Sequence, residues 1–294
     1  MSTVSVVIRT LNEATYLSEL LEAIDNQSSI NFDVEKVIVD SGSTDDTIAI
    51  ANSYNCSITY IEKEQFTFGR SLNIGCEFAK GEILIFISGH CIPASKSWLS
   101  NLIRPLVEKG EGYTYGRQIG RDTTKFSELQ IFKKYFPESL NSSASDFFCN
   151  NANSAIARST WSRYRFDENI TGLEDMDLAK KYFIEGGKVE YIPNAPVYHI
   201  HDETWRQTRR RYEREAIALQ AIMPEVQVSL FDAARYIFTS IFSDLSQAYK
   251  EKIFLKEFLQ VIKFRLAQYS GTYRGNHFIR EISREKKEKY YYPK

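Results

Sequence analysis

The segment GEILIFISGHCIP, Gly81–Pro93, is the stretch on which the fold turns. Ile83–Ile87 is an unbroken apolar run of strand length, as in a buried strand. It ends in Ser88, Gly89, His90 and Cys91, then Pro93 follows. Small polar residues at the carboxyl end of such a strand face the ligand in α/β sheets.

Upstream, Val4–Ile8, Lys36–Asp40 and Ser57–Ile61 read as three more strands. Residues 13–26 place Leu17, Leu20, Leu21 and Ile24 at helical spacing. SGSTDDT after the second strand predicts a helix capped by Ser43 or Thr44, with Asp45 and Asp46 in its first turn. Residues 70–80, closed by Gly81, and residues 96–109 read as helices. Alternating strand and helix implies a mostly parallel sheet flanked by helices. Its ligand-facing strand ends are Arg9–Thr10, Asp40–Ser41, Glu62–Lys63 and Ser88–His90. No GxGxxG follows the first strand and no GxxxxGK[ST] occurs, which excludes nicotinamide-type and P-loop readings.

The second half is less regular. Gly112–Gly120 reads as a strand and 125–136 as a helix. Phe147–Arg158 is polar where a strand would fit. A loop before Glu174 turns into a helix stopped by Gly186–Gly187, then KVEYIP is a strand and PVYHIH a short extended piece. Beyond Thr204 the pattern is helical, with a wide apolar stripe at Phe231, Ala234, Ile237, Phe238, Ile241, Phe242 and Leu245, and a second helix over about 251–267.

Net charge is −1 over 294 residues but unevenly spread: residues 203–294 hold 18 lysines and arginines against 11 acids. A basic end on an acidic body suits an anionic partner. Cys56, Cys76, Cys91 and Cys149 show no paired spacing, as in a cytosolic protein with reduced thiols. The N-terminus carries no signal-peptide pattern, and no apolar window reaches membrane-spanning length.

Four segments in this order, VSVVIRTLNEATYLSELLEAIDNQ, VEKVIVDSGSTDDT, GRSLNIGCEFAKGEILIFIS and FDENITGLEDMDLAKKYFIEGGKVEYIPNAPVYHIH, closely resemble family 2 glycosyltransferases of the GT-A fold. The resemblance spans about residues 4–215 and is nearest to bacterial enzymes of O-antigen, capsule and other envelope glycans, many of them rhamnosyltransferases. It implies a catalytic domain over 1–215, with a nucleotide-binding half to about residue 93 and an acceptor half from 94, and a helical, aromatic, basic subdomain over 216–294. It places Thr10, Asn12 and Glu13 near the nucleotide, Asp40 and Ser41 at the base and ribose, and Arg70 and Asn73 at the nucleotide and its phosphates. Asp175 of the Leu173–Asp175 motif matches the general base, the carboxylate that takes the acceptor hydroxyl's proton as its oxygen attacks the anomeric carbon. Glu174 and Gly172 are then acceptor-side residues. In Trp205–Arg214, Arg210 and Arg211 are candidates for the diphosphate, where fixed positive charge steadies the leaving group.

One feature departs from the family pattern. The acidic pair that binds a divalent ion after the fourth strand is replaced by Ser88-Gly89-His90. His199 and His201 lie two apart and share a side if extended. Three readings stand open: His90 with His199 or His201 holds one ion, Mn²⁺ more readily than Mg²⁺; His90 binds the diphosphate or donor sugar directly with no ion; or His90 is structural.

The expectation is an inverting glycosyltransferase that moves a sugar from dTDP-rhamnose or a UDP-sugar to a hydroxyl of a growing glycan or lipid-linked glycan. Peripheral membrane contact through the C-terminus is expected, nucleic-acid binding is not, and oligomeric state is open. A GT-A-like nucleotidyltransferase and an inactive nucleotide-sugar-binding protein are the alternatives.

Overall fold

The computed structural model describes residues 3–28, 32–139 and 147–291, with side chains to residue 278. The chain forms two compact units: residues 1–123, 132–169 and 174–201 in the first, residues 124–131, 170–173 and 202–294 in the second.

The first unit is built on one sheet. Its strands are β1 (Thr3–Thr10), β2 (Asp33–Asp40), β3 (Ser57–Tyr60), β4 (Ile83–Ser88), β5 (Cys91–Pro93), β6 (Tyr113–Ile119), β7 (Asn153–Ala157) and β8 (Val189–His199). They lie in the order β3-β2-β1-β4-β7-β6-β8-β5. The first four run parallel, as the alternating pattern predicts. β7 enters antiparallel between β4 and β6, and β5 pairs antiparallel with β8. The sheet is therefore mixed, with helices α1 (Ala14–Asp25), α2 (Thr47–Ser53), α3 (Phe68–Phe78), α4 (Trp98–Lys109), α6 (Arg158–Tyr164) and α7 (Glu174–Ile184) in the same unit; α5 (Phe126–Tyr135) belongs to the second unit as far as Ile131.

The apolar run Ile83–Ile87 explains the layering. On β4, Ile83, Ile85 and Ile87 join one core with Val4, Ile8, Leu17 and Trp98. Leu84 and Phe86 join the opposite core with Val7, Val39, Leu72 and Leu178. Side chains of a strand alternate between faces, so an unbroken apolar strand needs cover on both.

Several local expectations shift, each for a local reason. The helix after β2 starts at Thr47 rather than at Asp45, because Asp45 accepts the Thr47 backbone N–H at 3.0 Å and its hydroxyl at 2.5 Å, forming a turn before the helix. α3 starts two residues early, since the Thr67 hydroxyl accepts the Arg70 N–H at 3.1 Å and caps it. The polar run before Arg158 is a strand because its polar side chains are bonded inside: Asn153 donates to the Ala195 carbonyl at 2.8 Å and accepts from Trp98 Nε1 at 2.8 Å. The four cysteines are unpaired.

The second unit is helical: α8 (Trp205–Ile222), α9 (Leu230–Lys250) and α10 (Phe254–Tyr291). The basic stretch Trp205–Arg214 belongs to it, within α8. α10 continues far past residue 267. The sequence pattern breaks at Gly271 and Gly275, yet a Cβ there would stand 2.3 Å from the Arg209 carbonyl and 2.2 Å from that of Glu213. Glycine lets α10 lie against the α8 backbone. Inside the unit Arg265 donates twice to Asp244, at 2.8 Å each, and Asp244 accepts from Ser127 at 2.6 Å. No described helix is long and apolar enough to cross a membrane.

Candidate active site

The carboxyl end of β1 anchors two groups of side chains. Arg9, paired in register with Ser88 of β4, donates to Glu174 Oε1 at 3.1 Å and to the Phe68 carbonyl at 3.2 Å, with its guanidinium 4.9 Å from the Phe68 ring centre. Four residues on, Glu13 meets His90: Nδ1 of the imidazole lies 3.0 Å from Glu13 Oε1. Between them Asn12 adopts a left-handed backbone, φ 58°. Its N–H donates to the Ser43 hydroxyl at 2.8 Å and its Oδ1 accepts from the Thr44 N–H at 2.8 Å, tying the β1 and β2 loops together.

Asp40 has a different occupation from the one the resemblance implies. Its Oδ1 accepts from Thr10 at 2.9 Å and from the Ser43 hydroxyl at 2.5 Å, and its Oδ2 from the backbone N–H groups of Gly42 and Ser43 at 2.9 and 2.8 Å. Four bonds saturate a carboxylate, so in this state Asp40 and Thr10 shape the turn. The Ser41 hydroxyl donates to the Thr10 carbonyl at 3.1 Å. Asn73 is also a tie rather than an open donor. It donates to the Phe166 carbonyl and to Glu168, each at 2.9 Å, and accepts from Trp161 Nε1 at 3.1 Å and the Phe166 N–H at 3.2 Å. Arg70 is half-buried, and among the described residues its guanidinium donates to a neutral oxygen, that of Gln65 at 3.2 Å, and to no carboxylate.

The three histidines come together. β5 pairs with β8 so that Cys91 faces His199, and the Ile200 N–H donates to the His90 carbonyl at 3.2 Å. Donor atoms of His90, His199 and His201 all lie within 4.8 Å of one another. The His90 and His199 rings stack at 5.3 Å, and Phe132 also stacks on His199, at 5.8 Å. Nitrogens sharing one tetrahedral ion would stand about 3.4 Å apart for bonds near 2.1 Å, a small closure from this arrangement.

Their tautomers follow from the neighbours. A carboxylate only accepts, so His90 Nδ1 donates to Glu13 and Nε2 carries the lone pair. The Ala152 N–H donates to Asn150 Oδ1 at 3.0 Å, which makes the Gln118 group bonded there its NH₂, at 3.0 Å. Gln118 Oε1 then accepts from His199 Nδ1 at 2.6 Å, and Nε2 becomes the lone-pair atom of that ring too. Metal-ligating histidines are held in this way by a second acceptor. The residues therefore fit a divalent ion, with imidazole in place of the missing carboxylates. Gly89 serves the same arrangement: a Cβ there would stand 2.7 Å from Glu13 Cγ. Ser88, half-buried, ends β4 beside it.

Glu174 and Asp175 open α7 and are both buried. Asp175 Oδ2 accepts from the Asn151 N–H at 2.7 Å and Oδ1 from the Met176 N–H at 2.8 Å. Burial, then the Glu174 carboxylate, raises the Asp175 carboxyl to about 7. Glu174, expected on the acceptor side, is held by Arg9. Gly172 has no close approach to explain it: a Cβ would stand 3.8 Å from Arg214 Nε, ordinary contact. The left-handed residue of this turn is Leu173, φ 55°. Asn151 Nδ2 is buried without a hydrogen-bond partner among the described residues.

On α8, a capping box of Thr204 and Gln207 sets the helix start. Arg206, Arg209 and Arg210 are exposed. Arg211 is not open to a phosphate: it donates to Glu128 at 2.8 Å and to both Glu203 oxygens at 2.9–3.1 Å. The sequence places Arg9 at a ligand-facing strand end but gives it no role, and it offers no signal for Gln118 or Asn150.

A family model described as Glycosyl transferase family 2 matches residues 5–165. The O-antigen chain rhamnosyltransferase RfbN of Salmonella typhimurium is 27% identical over 221 residues, covering 71% of this chain and 70% of that protein. The poly(ribitol-phosphate) beta-N-acetylglucosaminyltransferase TarS of Staphylococcus aureus is 24% identical over 87% of this chain and 43% of its own length. Among solved structures, the mannosyltransferase PcManGT of Pyrobaculum calidifontis, in complex with GDP-Man and Mn²⁺, superposes with a TM-score of 0.65 at 17% identity over 92% of this chain and 86% of that one. Glucosyl-3-phosphoglycerate synthase of Mycobacterium tuberculosis, with Mn²⁺, UDP-glucose and phosphoglyceric acid, gives 0.54 at 19% identity over 74% of this chain and 79% of its own.

Proposed function

Because the chain belongs to glycosyl transferase family 2, we propose that it is an inverting enzyme of cell-envelope polysaccharide synthesis. Its donor is a nucleoside-diphosphate sugar, dTDP-rhamnose first and a UDP-sugar second. The rhamnosyl and N-acetylglucosaminyl transferases among its relatives support that order. Its acceptor is a hydroxyl of a growing, lipid-linked glycan at the cytosolic face of the membrane. The 18 cations among residues 203–294 support contact with that anionic face.

The observation that carries the reading is Asp175. A buried carboxyl at a helix start, raised to about 7, is poised to accept a proton near neutral pH. It takes the proton of the acceptor hydroxyl as that oxygen attacks the anomeric carbon from the face opposite the leaving diphosphate. His90, His199 and His201 would hold a divalent ion, Mn²⁺ in preference to Mg²⁺ given their imidazole donors. Such an ion supplies positive charge for the diphosphate. Arg70, whose charge meets no carboxylate among the described residues, and the exposed Arg210 suit a diphosphate by the same chemistry.

A screen of nucleotide sugars for donor turnover, run with Mn²⁺, Mg²⁺ or EDTA, tests this. Release of nucleoside diphosphate from one donor, strongest with Mn²⁺, is the expected result. Full turnover in EDTA discards the ion. Pyrophosphate release from a nucleoside triphosphate with a sugar phosphate marks a nucleotidyltransferase instead, and binding with no turnover of any donor marks an inactive binding protein.

A further inference from the structure

The exposed side of α9 carries four aromatic side chains: Phe231 at 77%, Phe238 at 73%, Phe242 at 77% and Tyr249 at 75% exposure. Among the described residues the first three meet no other ring, and Tyr249 touches only the edge of Phe254, at 6.5 Å between ring centres. At 3.6 residues per turn they fall within about 40° of one another, a single ridge roughly 27 Å long. The opposite side of α9 buries Ala233, Asp244 and Ala248. The ridge is therefore not a misplaced core face; the helix has a core face already.

The spacing of the ridge is the second observation. Its steps are seven, four and seven residues, symmetric about position 240. A twofold axis at that height lays α9 antiparallel on its own copy, with Phe231 against the partner's Tyr249 and Phe238 against the partner's Phe242. An isologous interface requires this self-complementarity. The borders agree with it. Ala234 and Leu245 flank the ridge on one side and would meet across the axis, while Arg235 on the other side would meet the partner's Ser246. Asp232 and Lys250, eight and ten residues from the centre, bring opposite charges together at each end. No like charges face each other.

Area and charge favour a second copy over a lipid surface. Aromatic burial of ~150–250 Å² per ring gives roughly 600 Å² per copy from the four rings alone, near the ~800 Å² per partner of a standard interface. Leu230, 69% exposed, adds to it. The charges beside the ridge nearly cancel, Arg235 being paired with Asp232 at 3.3 Å, whereas an anionic bilayer would call for uncompensated cations along it. We propose that α9 is a homodimerisation helix, pairing with a second copy of this chain through Phe231, Phe238, Phe242 and Tyr249. The proposal does not depend on the transferase reading.

Light scattering coupled to size exclusion and sedimentation equilibrium of the full chain test it. The unaltered protein is expected to be a dimer at micromolar concentration. Phe238→Lys and Phe242→Glu should each weaken association by at least about 30-fold, as for the centre of an interface, with circular dichroism and donor turnover unchanged. Mixing the two variants should restore a heterodimer, because Lys at 238 then faces Glu at the partner's 242. A chain that stays monomeric at these concentrations, single variants that remain dimers, or variants that do not recombine would each overturn the proposal. Should either charged variant fail to fold, Phe242→Ser is the milder probe, with the same loss of dimer expected. A monomer that floats with phosphatidylglycerol vesicles in a Phe238- and Phe242-dependent manner would assign the ridge to the membrane instead.

Discussion

His90 and Glu13 form a charge-assisted pair at 3.0 Å, and that pair determines which imidazole nitrogen is left to bind an ion. The bond spans 77 positions of sequence. It sets Glu13 to work on a histidine rather than directly on a nucleotide.

Replacing Glu13 with Ala should therefore weaken ion binding without removing a ligand. Loss of the acceptor that orients a ligating histidine costs about 10- to 100-fold in metal affinity. Titration calorimetry with Mn²⁺, and the Mn²⁺ electron-spin signal, read this directly. His90→Ala should lower affinity further. An unchanged Mn²⁺ isotherm in both variants would remove the ion from this cluster.

Asp175→Asn should lower kcat by about 10²- to 10⁴-fold with donor binding intact. In the unaltered enzyme the base form grows with pH, so turnover should rise through about pH 7 and level off above it. A rate independent of pH between 5.5 and 8.5 would count against the assignment.

The same group makes a stability prediction of opposite sign. Its folded-state carboxyl titrates above the ordinary aspartate range, so between about pH 4 and 7 the folded chain binds more protons than the unfolded one. Stability should fall across that window as pH rises, by a few kcal/mol at most. Urea midpoints of Asp175→Asn should lack this part of the slope.

Arg9→Met removes the cation paired with buried Glu174. The pair is one-sidedly exposed, 21% at Arg9, so a loss of about 1–3 kcal/mol is expected from the stranded carboxylate. Arg9 also favours the charged form of Asp175. Its removal should shift the rise in turnover to higher pH, a readout that simple destabilisation does not produce.

Arg211 and Arg210, adjacent on α8, should separate. Arg211→Ala strands Glu128, which is buried, and should lower the urea midpoint by the equivalent of about 2–4 kcal/mol. Arg210→Ala should leave stability unchanged and raise the KM for donor. Equal effects on both quantities would contradict the division of roles.

The parallel half of the sheet was legible because its strands are apolar throughout and its helices keep a 3.6-residue apolar spacing. β7 was not, since Asn153 and Ser154 are polar by type and satisfied only by partners far along the chain. α10 beyond residue 267 was not, since its glycines weaken local helix preference and are compensated by contact with α8. Asp40 and Asn73 could be picked out by the family resemblance, but their saturation by turn and loop bonds depends on geometry that no spacing records.

By itself the sequence determined the alternating α/β core, the family motifs and the loss of the acidic pair after β4, because these are local matters of residue type and order. The tertiary structure decided what stands in that place. Pairing of β5 with β8 puts Cys91 opposite His199 and so brings His90 to the other two imidazoles. Burial, with the Glu174 carboxylate beside it, decided that the Asp175 carboxyl titrates above the ordinary aspartate range, while Arg9 fixes where Glu174 lies. Both outcomes rest on distances between residues far apart in the chain, and only packing sets those distances.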